Sequence, residues 1–316
     1  MPHTPVRFAP IFILALLSVV AQSCSNDSGS PADPGTRPAL AGGSPSWHAM
    51  ESSTPELLWG VWAGKDDVVA VGTRGSANHL VDGAWTAKAS GVTGSLCDVW
   101  MHADGTAIAV GPGGVILRYD GSWSPMSSGT YADLVDVFGF GNGRAVAVGQ
   151  SGTVLVLDSG SWSAVDAGTG VNLFGVWGSS PDSLFAVGVG GTIVRSAGNA
   201  WSFMDTPTPA NLSAVFGVSA ADVFAVGDGG TILRRVGPAW TAMSSGTSLD
   251  LYDIHGTSNA NLWAVGAAGT LLHLSGGSWS PQASGTSADL FGVFMRRADL
   301  GYAVGDAGTI LRYSEN

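Results

Sequence analysis

Residues 211–249 decide the fold, and they read NLSAVFGVSAADVFAVGDGGTILRRVGPAWTAMSSGTSL. Four short segments of this stretch have strand character, namely NLSAVFGV, DVFAVG, TILRRV and AWTAM. Asp228-Gly229-Gly230 separates the second segment from the third and favours a tight hairpin turn, because glycine adopts positive φ without steric cost. Ser-Ser-Gly-Thr then ends the unit as a loop. The stretch therefore predicts four consecutive antiparallel strands.

This unit recurs every 38 or 39 residues through the body of the chain. Three independent series mark the period, and each has seven members. The first series is a tryptophan that follows a small residue: Trp47, Trp85, Trp123, Trp162, Trp201, Trp240 and Trp279. The second is the glycine that ends an AVG triplet: Gly72, Gly111, Gly149, Gly188, Gly227, Gly266 and Gly305. The third is an aromatic-type residue that follows a β-branched one: Trp62, Trp100, Phe138, Trp177, Phe216, His255 and Phe294. Four strands per unit, repeated seven times without helical periodicity, predict a β-propeller.

The two ends of the repeat array are incomplete in complementary ways. The last unit, residues 289–316, contains three strands and stops before its tryptophan strand. The body begins with a tryptophan strand at residues 46–50, and no earlier strands precede it. We expect this N-terminal strand to complete the last blade, because that pairing leaves no strand edge exposed. The predicted fold is an all-β, seven-bladed β-propeller of four-stranded antiparallel blades over residues 46–316, closed by the N-terminal strand.

The repeat resembles a known group of propellers. The motifs GVWG (175–178), DVFAVGDGGTIL (222–233) and SWSPMSSGT (122–130) look like the glycine-rich repeats of secreted bacterial propellers. These are grouped with the BNR/Asp-box and WD-repeat-like superfamily, which includes photosystem II assembly-factor-like lipoproteins. The resemblance covers residues 46–316 and implies a fold rather than an activity. An Asp-box reads S-x-D-x-G-x-T-W, whereas residues 228–231 lack the tryptophan and have threonine one place early. The Gly-His and Trp-Asp pairs of WD repeats are also absent.

The first 45 residues predict an export signal and a tether. Residues 1–23 combine Arg7 with an apolar stretch over residues 11–21, which is too short for a ~30 Å hydrocarbon core but fits a signal peptide. The segment Ala21-Gln22-Ser23-Cys24 resembles a bacterial lipobox, which implies lipidation of Cys24, and Ser25 in place of aspartate implies outer-membrane sorting. The alternative is an ordinary cleaved signal with a cysteine nearby. Residues 24–45 are rich in Gly, Pro and Ser and predict a disordered tether.

Composition excludes several classes of protein and partner. The 316 residues carry 13 basic and 24 acidic side chains, and a net charge of −11 argues against a nucleic-acid partner. Two cysteines cannot build a disulfide framework. We expect a monomer that contacts the membrane through its lipid anchor alone, at the outer membrane or cell surface and outside the cytoplasm.

Residues at one register of successive blades form rings, and three such rings are candidate binding sites. The loop that enters each first strand supplies a candidate channel rim: Asp133, Asn172, Asn211, Asp250 and Asp289. One position of the innermost strand supplies a candidate channel lining: Asp98, Asp136 and Asp253. The third strand supplies a candidate basic annulus: His79, Arg118, Arg195, Arg234, His273 and Arg312.

Each ring also has a structural interpretation. Asx residues at the rim cap turns through nearby backbone. Aspartates on the innermost strand tie neighbouring blades by hydrogen bonds. Long basic side chains cover apolar surface with their stems while their charged heads reach water or stack on an adjacent tryptophan. These interpretations compete with the recognition of a cation, a sugar, a basic peptide or an anionic partner.

Signals for catalysis are weak. The histidines lack the spacing of zinc ligands, no cofactor motif is present, and Cys97 reads as an inert thiol on a buried inner strand. We therefore predict a non-enzymatic, lipid-anchored scaffold that binds an envelope protein or a glycan. The alternative is a carbohydrate-active enzyme, a glycoside hydrolase or lyase, with rim carboxyl groups ~5–9.5 Å apart in a deep cleft.

Overall fold

The computed structural model describes residues 45–64, 67–141, 143–198 and 200–314. Within these residues, 28 strands form seven sheets of four antiparallel strands each. The chain is thus a seven-bladed β-propeller, and the predicted fold class is confirmed. The predictions for residues 1–44, including the signal peptide and lipidation of Cys24, lie outside the described residues. In the described ranges, none of the helical segments has the length and apolar character needed to cross a membrane.

The blades follow one another along the chain, and the strands are numbered in chain order. The first strand, β1 (Ser46–Ala49), belongs to the last blade. Blades 1 and 2 comprise β2 (Leu58–Ala63), β3 (Val68–Gly72), β4 (Ala77–Val81), β5 (Ala84–Ala87), β6 (Asp98–Met101), β7 (Ala107–Gly111), β8 (Val115–Tyr119) and β9 (Trp123–Met126). Blades 3 and 4 comprise β10 (Leu134–Phe140), β11 (Arg144–Gly149), β12 (Thr153–Asp158), β13 (Ser161–Asp166), β14 (Leu173–Ser180), β15 (Ser183–Gly188), β16 (Ile193–Ala197) and β17 (Ala200–Phe203).

The remaining blades have the same design. Blades 5 and 6 comprise β18 (Leu212–Ser219), β19 (Asp222–Gly227), β20 (Thr231–Val236), β21 (Ala239–Met243), β22 (Leu251–Ser258), β23 (Asn261–Gly266), β24 (Leu271–Ser275) and β25 (Ser278–Pro281). Blade 7 comprises β26 (Leu290–Arg297), β27 (Leu300–Gly305), β28 (Ile310–Ser314) and β1.

Closure of the ring follows the sequence prediction. Strand β1 pairs antiparallel with β28, so that Trp47 lies opposite Tyr313 and Ala49 opposite Leu311. The indole of Trp47 packs against Tyr313 at 5.3 Å and against Trp263 of blade 6 at 5.4 Å between ring centres. The N-terminal strand therefore completes the last blade and also seals it against its neighbour.

The strands of each blade carry different residue types at different distances from the axis. The first strands of adjacent blades contact one another around the axis, and the tryptophan series lies on the fourth, outermost strands. Between them, the second strand that ends in AVG is completely buried, as in Val68–Gly72 and Ala107–Gly111. Since both faces of these strands are covered by neighbouring blades, alternation of polar and apolar residues is unnecessary.

The AVG glycine is required by a close approach of the backbone. A Cβ atom built on Gly227 would lie 1.9 Å from the carbonyl oxygen of Asn211, in the loop that enters the same blade. The chain then makes a short 3₁₀ turn at Asp228–Gly230, where the sequence favoured a tight hairpin. The positive φ expected of its glycines is present, with 62° at Gly229 and 72° at Gly230.

Candidate functional site

The chain enters the innermost strand of every blade at the same end of the ring, which we call the entry face. The candidate rim residues lie there, and each binds the blade before its own. The side-chain oxygen of each accepts a hydrogen bond from a backbone N–H in the 3₁₀ turn of the preceding blade. The donor–acceptor pairs are Gly113–Asp133 at 2.8 Å, Ser151–Asn172 at 2.8 Å, Gly190–Asn211 at 2.9 Å, Gly229–Asp250 at 2.7 Å and Ala268–Asp289 at 2.7 Å.

These hydrogen bonds give the rim a structural role. One oxygen of each side chain ties two blades together through a backbone donor that would otherwise face the mouth unpaired. Each aspartate keeps a second carboxylate oxygen that this bond does not use. The rim is thus held rigid while remaining acidic at Asp133, Asp250 and Asp289.

A β-bulge near the start of the innermost strand turns an extra side chain toward the mouth. In blades 6, 7 and 1 the extra residues are Tyr252, Phe291 and Trp59, which we call the aromatic row. Tyr252 stacks on Phe291 with 5.1 Å between ring centres, and Trp59 lies 4.7 Å from Phe291 on its other side. Tyr252 and Trp59 remain partly exposed, whereas Phe291 is 8% exposed. Three neighbouring blades thus present a continuous aromatic surface at one side of the mouth.

Carboxylates surround one end of the aromatic row. Burial, followed by the charges of Asp289, Asp250 and Asp228, raises the pKa of Tyr252 to about 12. Asn211 donates a hydrogen bond from its amide to Asp228 at 2.8 Å, and burial raises the pKa of that carboxyl. This side of the mouth is therefore both aromatic and negatively charged.

The candidate lining residues Asp98 and Asp136 form a pair on adjacent innermost strands. Their carboxyl groups are hydrogen-bonded to each other, which requires one proton between the two oxygens. Burial and the charge of Asp136 raise the pKa of Asp98 well above its usual range, and burial raises the pKa of Asp136 as well. Each also accepts a backbone N–H from the next blade, Val137 to Asp98 at 3.1 Å and Val176 to Asp136 at 2.6 Å.

Asp253 makes the same tie on the other side of the ring. Its two carboxylate oxygens accept the backbone N–H groups of Ile254 at 2.7 Å and of Val293, in the next blade, at 2.8 Å. Burial raises the pKa of Asp253 to about 7 in spite of these bonds. All three candidate lining residues therefore stabilise contacts between blades.

An aromatic layer, which we call the aromatic plug, lies on the innermost strands, two residues after the positions of Asp98, Asp136 and Asp253. It consists of the third repeat series: Trp62, Trp100, Phe138, Trp177, Phe216, His255 and Phe294. Trp62 of blade 1 lies 6.1 Å from Phe138 of blade 3 and 5.7 Å from His255 of blade 6. An indole that contacts rings two blades away in both directions must cross the axis. The plug therefore crosses the axis and closes the channel at this level.

His255 is the polar member of the plug and is held neutral. Its Nδ1 accepts a hydrogen bond from the backbone N–H of Met295 at 3.0 Å, which requires an unprotonated nitrogen. Burial lowers the pKa of His255 to about 3. The imidazole thus serves as an aromatic ring that also ties blade 6 to blade 7.

The structure does not bring the candidate basic annulus together. These residues lie on third strands, with the second strands between them and the channel. Within blade 5, Arg234 donates to Asp222 at 2.7 Å and stacks over Phe224 at 5.3 Å. Within blade 1, Nδ1 of the fully buried His79 lies 2.8 Å from a carboxylate oxygen of Asp67. Arg234 and His79 are therefore bound inside their own blades.

Cys97 immediately precedes β6 and is partly exposed, where the sequence predicted a buried inner strand. Burial of the sulfur and the charges of Asp98 and Asp133 raise the pKa of the thiol to about 12. Within the described ranges, no group of three or more His, Cys, Asp and Glu side chains is arranged to hold a metal ion.

The aromatic row and the inward crossing of Trp62 were missed by sequence reasoning. The third series was recognised as a repeat marker, and its seven members share a register on the innermost strands. Seven bulky rings at one register around a narrow axis were the available signal that the channel is closed. The aromatic row depends on a bulge, which has no comparable sequence signature.

Comparisons with known proteins support the architecture. No protein-family model and no curated protein matches the sequence. The fold is similar to that of YCF48 from Cyanidioschyzon merolae, with a TM-score of 0.71 and 20% identity over 85% of this chain and 98% of that chain. A structure of YCF48 bound to D1 peptide matches with a TM-score of 0.71 and 18% identity, over 85% and 96% of the two chains.

Two further structures extend the range of functions that this fold carries. The WD40 propeller of Doa1 matches with a TM-score of 0.76 and 14% identity, over 87% of this chain and 98% of that chain. A catalytically inactive virginiamycin B lyase from Staphylococcus aureus, solved with quinupristin, matches with a TM-score of 0.75 and 15% identity, over 85% and 99%. At these identities the likeness concerns the fold alone.

Proposed function

We propose that the protein is a non-enzymatic binding or assembly scaffold, anchored by lipid on Cys24 outside the cytoplasm, that holds a protein or glycan at its entry face. The observation that carries this proposal is the aromatic row, whose Trp59 and Tyr252 rings are partly exposed on the entry face beside the acidic rim. Aromatic surfaces of this kind bind apolar side chains and sugar faces.

Exposed apolar side chains extend this surface outward. Tyr131, Val171 and Leu249 lie on entry loops and are 95%, 37% and 43% exposed. Large apolar residues that face water on one side of a rigid ring mark a surface for partner contact. They lie on the same face as the aromatic row, so a macromolecule that binds the row would cover them as well.

The similar structures include a propeller solved with a bound peptide, which supports a binding role. One of them is YCF48 bound to D1 peptide, and WD40 propellers are also represented. We infer a protein partner first and a glycan second. The partner would be a component of the cell envelope, since the predicted signal and lipobox place the propeller there.

A carbohydrate-active enzyme is the second candidate, and the raised pKa of Asp253 is the observation that favours it. Catalytic carboxyl pairs of glycosidases lie ~5–9.5 Å apart so that sugar and water fit between them. Asp98 and Asp136 instead bond to each other directly and to backbone N–H groups. This geometry favours the scaffold.

Site-specific photocrosslinking in the native host tests the proposal. A benzophenone amino acid replaces Tyr131 on the entry face, and in a matched control it replaces Val218, an exposed residue at the opposite end of the ring. We expect a discrete adduct from position 131 that is lost when Trp59→Ala and Tyr252→Ala remove the aromatic row. Protease or glycosidase digestion of the adduct then identifies the partner class. Equal adducts from both positions, or adducts that survive loss of the aromatic row, would contradict the proposal.

A further inference from the structure

Blade 4 departs from blade 5 at one position on the second strand. In blade 5, Asp222 opens β19 and binds the third-strand Arg234. One repeat earlier, Arg195 occupies the place of Arg234, but Ser183 occupies the place of Asp222. Among the described residues, Nε of Arg195 and Oγ of Ser183 are both buried without a hydrogen-bond partner. Blade 4 therefore keeps the cation and lacks its carboxylate.

A second arginine reaches the same place from blade 5. The guanidinium carbons of Arg195 and Arg235 each lie 5.5 Å from the centre of the Phe185 ring. Arg235 donates one bond to the carbonyl of Ala220, while its Nε is buried and has no hydrogen-bond partner in the described part of the chain. Burial and the charge of Arg195 lower the pKa of Arg235. Two like charges thus converge on one phenyl ring.

A cavity of about 630 Å³ opens beside this pair, between blades 4 and 5. Arg195 lines it together with Ser202, Thr206 and Trp240. Asp205 also lines the cavity, but its exposed carboxylate forms no ion pair with either guanidinium in the described residues. The cavity therefore offers the guanidinium of Arg195 and hydroxyl groups beside an aromatic wall, on a protein whose net charge is −11.

We propose that this cavity is a phosphate-binding site, in which Arg195 binds the phosphate group of a phosphomonoester and Arg235, which contacts the same Phe185 ring without lining the cavity, adds a second positive charge nearby. Such a group carries close to two negative charges at neutral pH, which matches two guanidinium groups. Its oxygens accept the forked N–H donors of arginine, and the neighbouring hydroxyls supply further donors. The lining of the cavity comes from Arg195 on β16, from β17 and β21, and from the loop 204–207 that follows β17, but not from the candidate rim, the aromatic row or the aromatic plug, so it adds a second binding function to the propeller.

Replacing Ser183 of blade 4 by aspartate, the residue at the equivalent position of blade 5, tests this proposal. In Ser183→Asp, the new carboxylate should pair with Arg195 as Asp222 pairs with Arg234. It would neutralise the positive charge of Arg195 that phosphate would otherwise bind. Thermal unfolding of the purified full-length protein is followed with increasing inorganic phosphate, in sodium chloride buffers of equal ionic strength. We expect a saturable rise in the wild-type melting temperature. In Ser183→Asp and Arg195→Gln, the apparent affinity should fall at least tenfold.

A control variant, a control anion (acetate) and one spectroscopic readout complete the test. Arg118→Gln, which removes an arginine paired with Asp120, should keep the phosphate response. The Nε–H resonances of Arg195 and Arg235 should shift during a phosphate titration followed by NMR, whereas that of Arg118 should not. No saturable response in the wild type, a response that Ser183→Asp retains, or an equal response to acetate would overturn the proposal.

Discussion

At the scale of the residue, contacts that the backbone makes decide which side chains the repeat tolerates. The AVG glycine is extended rather than left-handed, with φ of −178° at Gly227, so its conformation suits any residue. What excludes a side chain is the carbonyl of the entry loop that crosses over it. The same loop supplies the rim side chains, so one crossing point determines both the glycine and the position of the rim.

Gly227→Ala is therefore expected to lower the free energy of unfolding by ~1–3 kcal/mol, since the new Cβ meets backbone that cannot move aside cheaply. Gly170→Ala is the matched control, because nothing lies within 4 Å of its Cβ and its φ is not positive. Urea denaturation of both variants measures the difference. A Gly227→Ala protein as stable as Gly170→Ala would show that the loop does not cross at this point.

The Asp98–Asp136 pair predicts a dependence of stability on pH. The pKa of Asp98 is raised in the folded state, so the folded protein binds a proton that the unfolded chain releases near pH 4. Stability is then complete at acid pH and declines as the pH rises through the folded pKa. Asp98→Asn keeps both hydrogen bonds and removes the titration. We expect it to match the wild type at pH 4 and to exceed it by ~1 kcal/mol or more at pH 8.

Asp133→Asn is the control for this experiment, because asparagine fills the same rim position at Asn172 and Asn211. Its melting temperature should follow the wild-type pH profile. If Asp98→Asn shows the wild-type profile as well, the two carboxyl groups do not share a proton.

Single-residue patterns explain what was predictable in the site. The rim and lining registers were identified because aspartate and asparagine recur at fixed spacing, as in Asp250 and Asp289. The hydrogen bonds that their side-chain oxygens accept were not predicted, because the donors belong to another blade and their positions depend on how the blades pack. The lack of a carboxylate beside Arg195 became visible only in the structure, where the Asp222–Arg234 pair of blade 5 shows that Ser183 stands in the place of an aspartate.

At the scale of the element, the aromatic plug is the packed core that holds the innermost strands together, as the side chains between two sheets are the core of a β-sandwich. Each first strand contributes one ring, and the rings contact their neighbours at 4.3–6.5 Å between centres. Register alone brings these rings to one level, because they occupy equivalent positions. The sequence identified these positions as a repeat series, but it predicted neither the plug nor the crossing of the axis by Trp62.

Trp62→Ala should cost ~3–5 kcal/mol of unfolding free energy and leave an apolar cavity on the axis. Such a cavity binds small aromatic molecules, so added indole should raise the melting temperature of the variant and leave the wild type unchanged. Trp59→Ala is the control: both indoles are partly exposed, but Trp59 contacts one ring whereas Trp62 contacts four, so this variant should show a smaller loss and no rescue. An equal response of both variants to indole would argue against the plug.

The closing strand makes its own prediction. Trp47→Ala removes an indole that is 8% exposed and that packs on Tyr313 and Trp263, so the free energy of unfolding should fall by ~3–5 kcal/mol. Ala49→Ser changes an exposed residue of the same strand and should stay within ~0.5 kcal/mol of the wild type. Calorimetry distinguishes the two outcomes, and an unchanged melting temperature for Trp47→Ala would be incompatible with a ring sealed by β1.

At the scale of the whole molecule, the ring presents the aromatic row at its entry face and a separate cavity, lined by Arg195, between blades 4 and 5. Neither site requires blade motion, because the rim, lining and plug residues each tie adjacent blades. We expect the two sites to be occupied independently. The predicted anchor would keep both at the membrane surface.

The anchor itself is tested by labelling with a radioactive fatty acid in the native host. The wild type and Cys24→Ser are compared, with Cys97→Ser as the matched control. We expect label in the wild type and in Cys97→Ser, and none in Cys24→Ser, which should also leave the outer-membrane fraction. Label that persists in Cys24→Ser would disprove the lipobox.

The pairing of β1 with β28 has a consequence for biosynthesis. The two strands belong to opposite ends of the described chain, so the ring remains open during synthesis until residues 310–314 have emerged from the ribosome. Until then Trp47 and the facing surface of blade 6 are available to chaperones. Substitutions at this seam should thus reduce the yield of folded protein before they affect anything that the finished propeller binds.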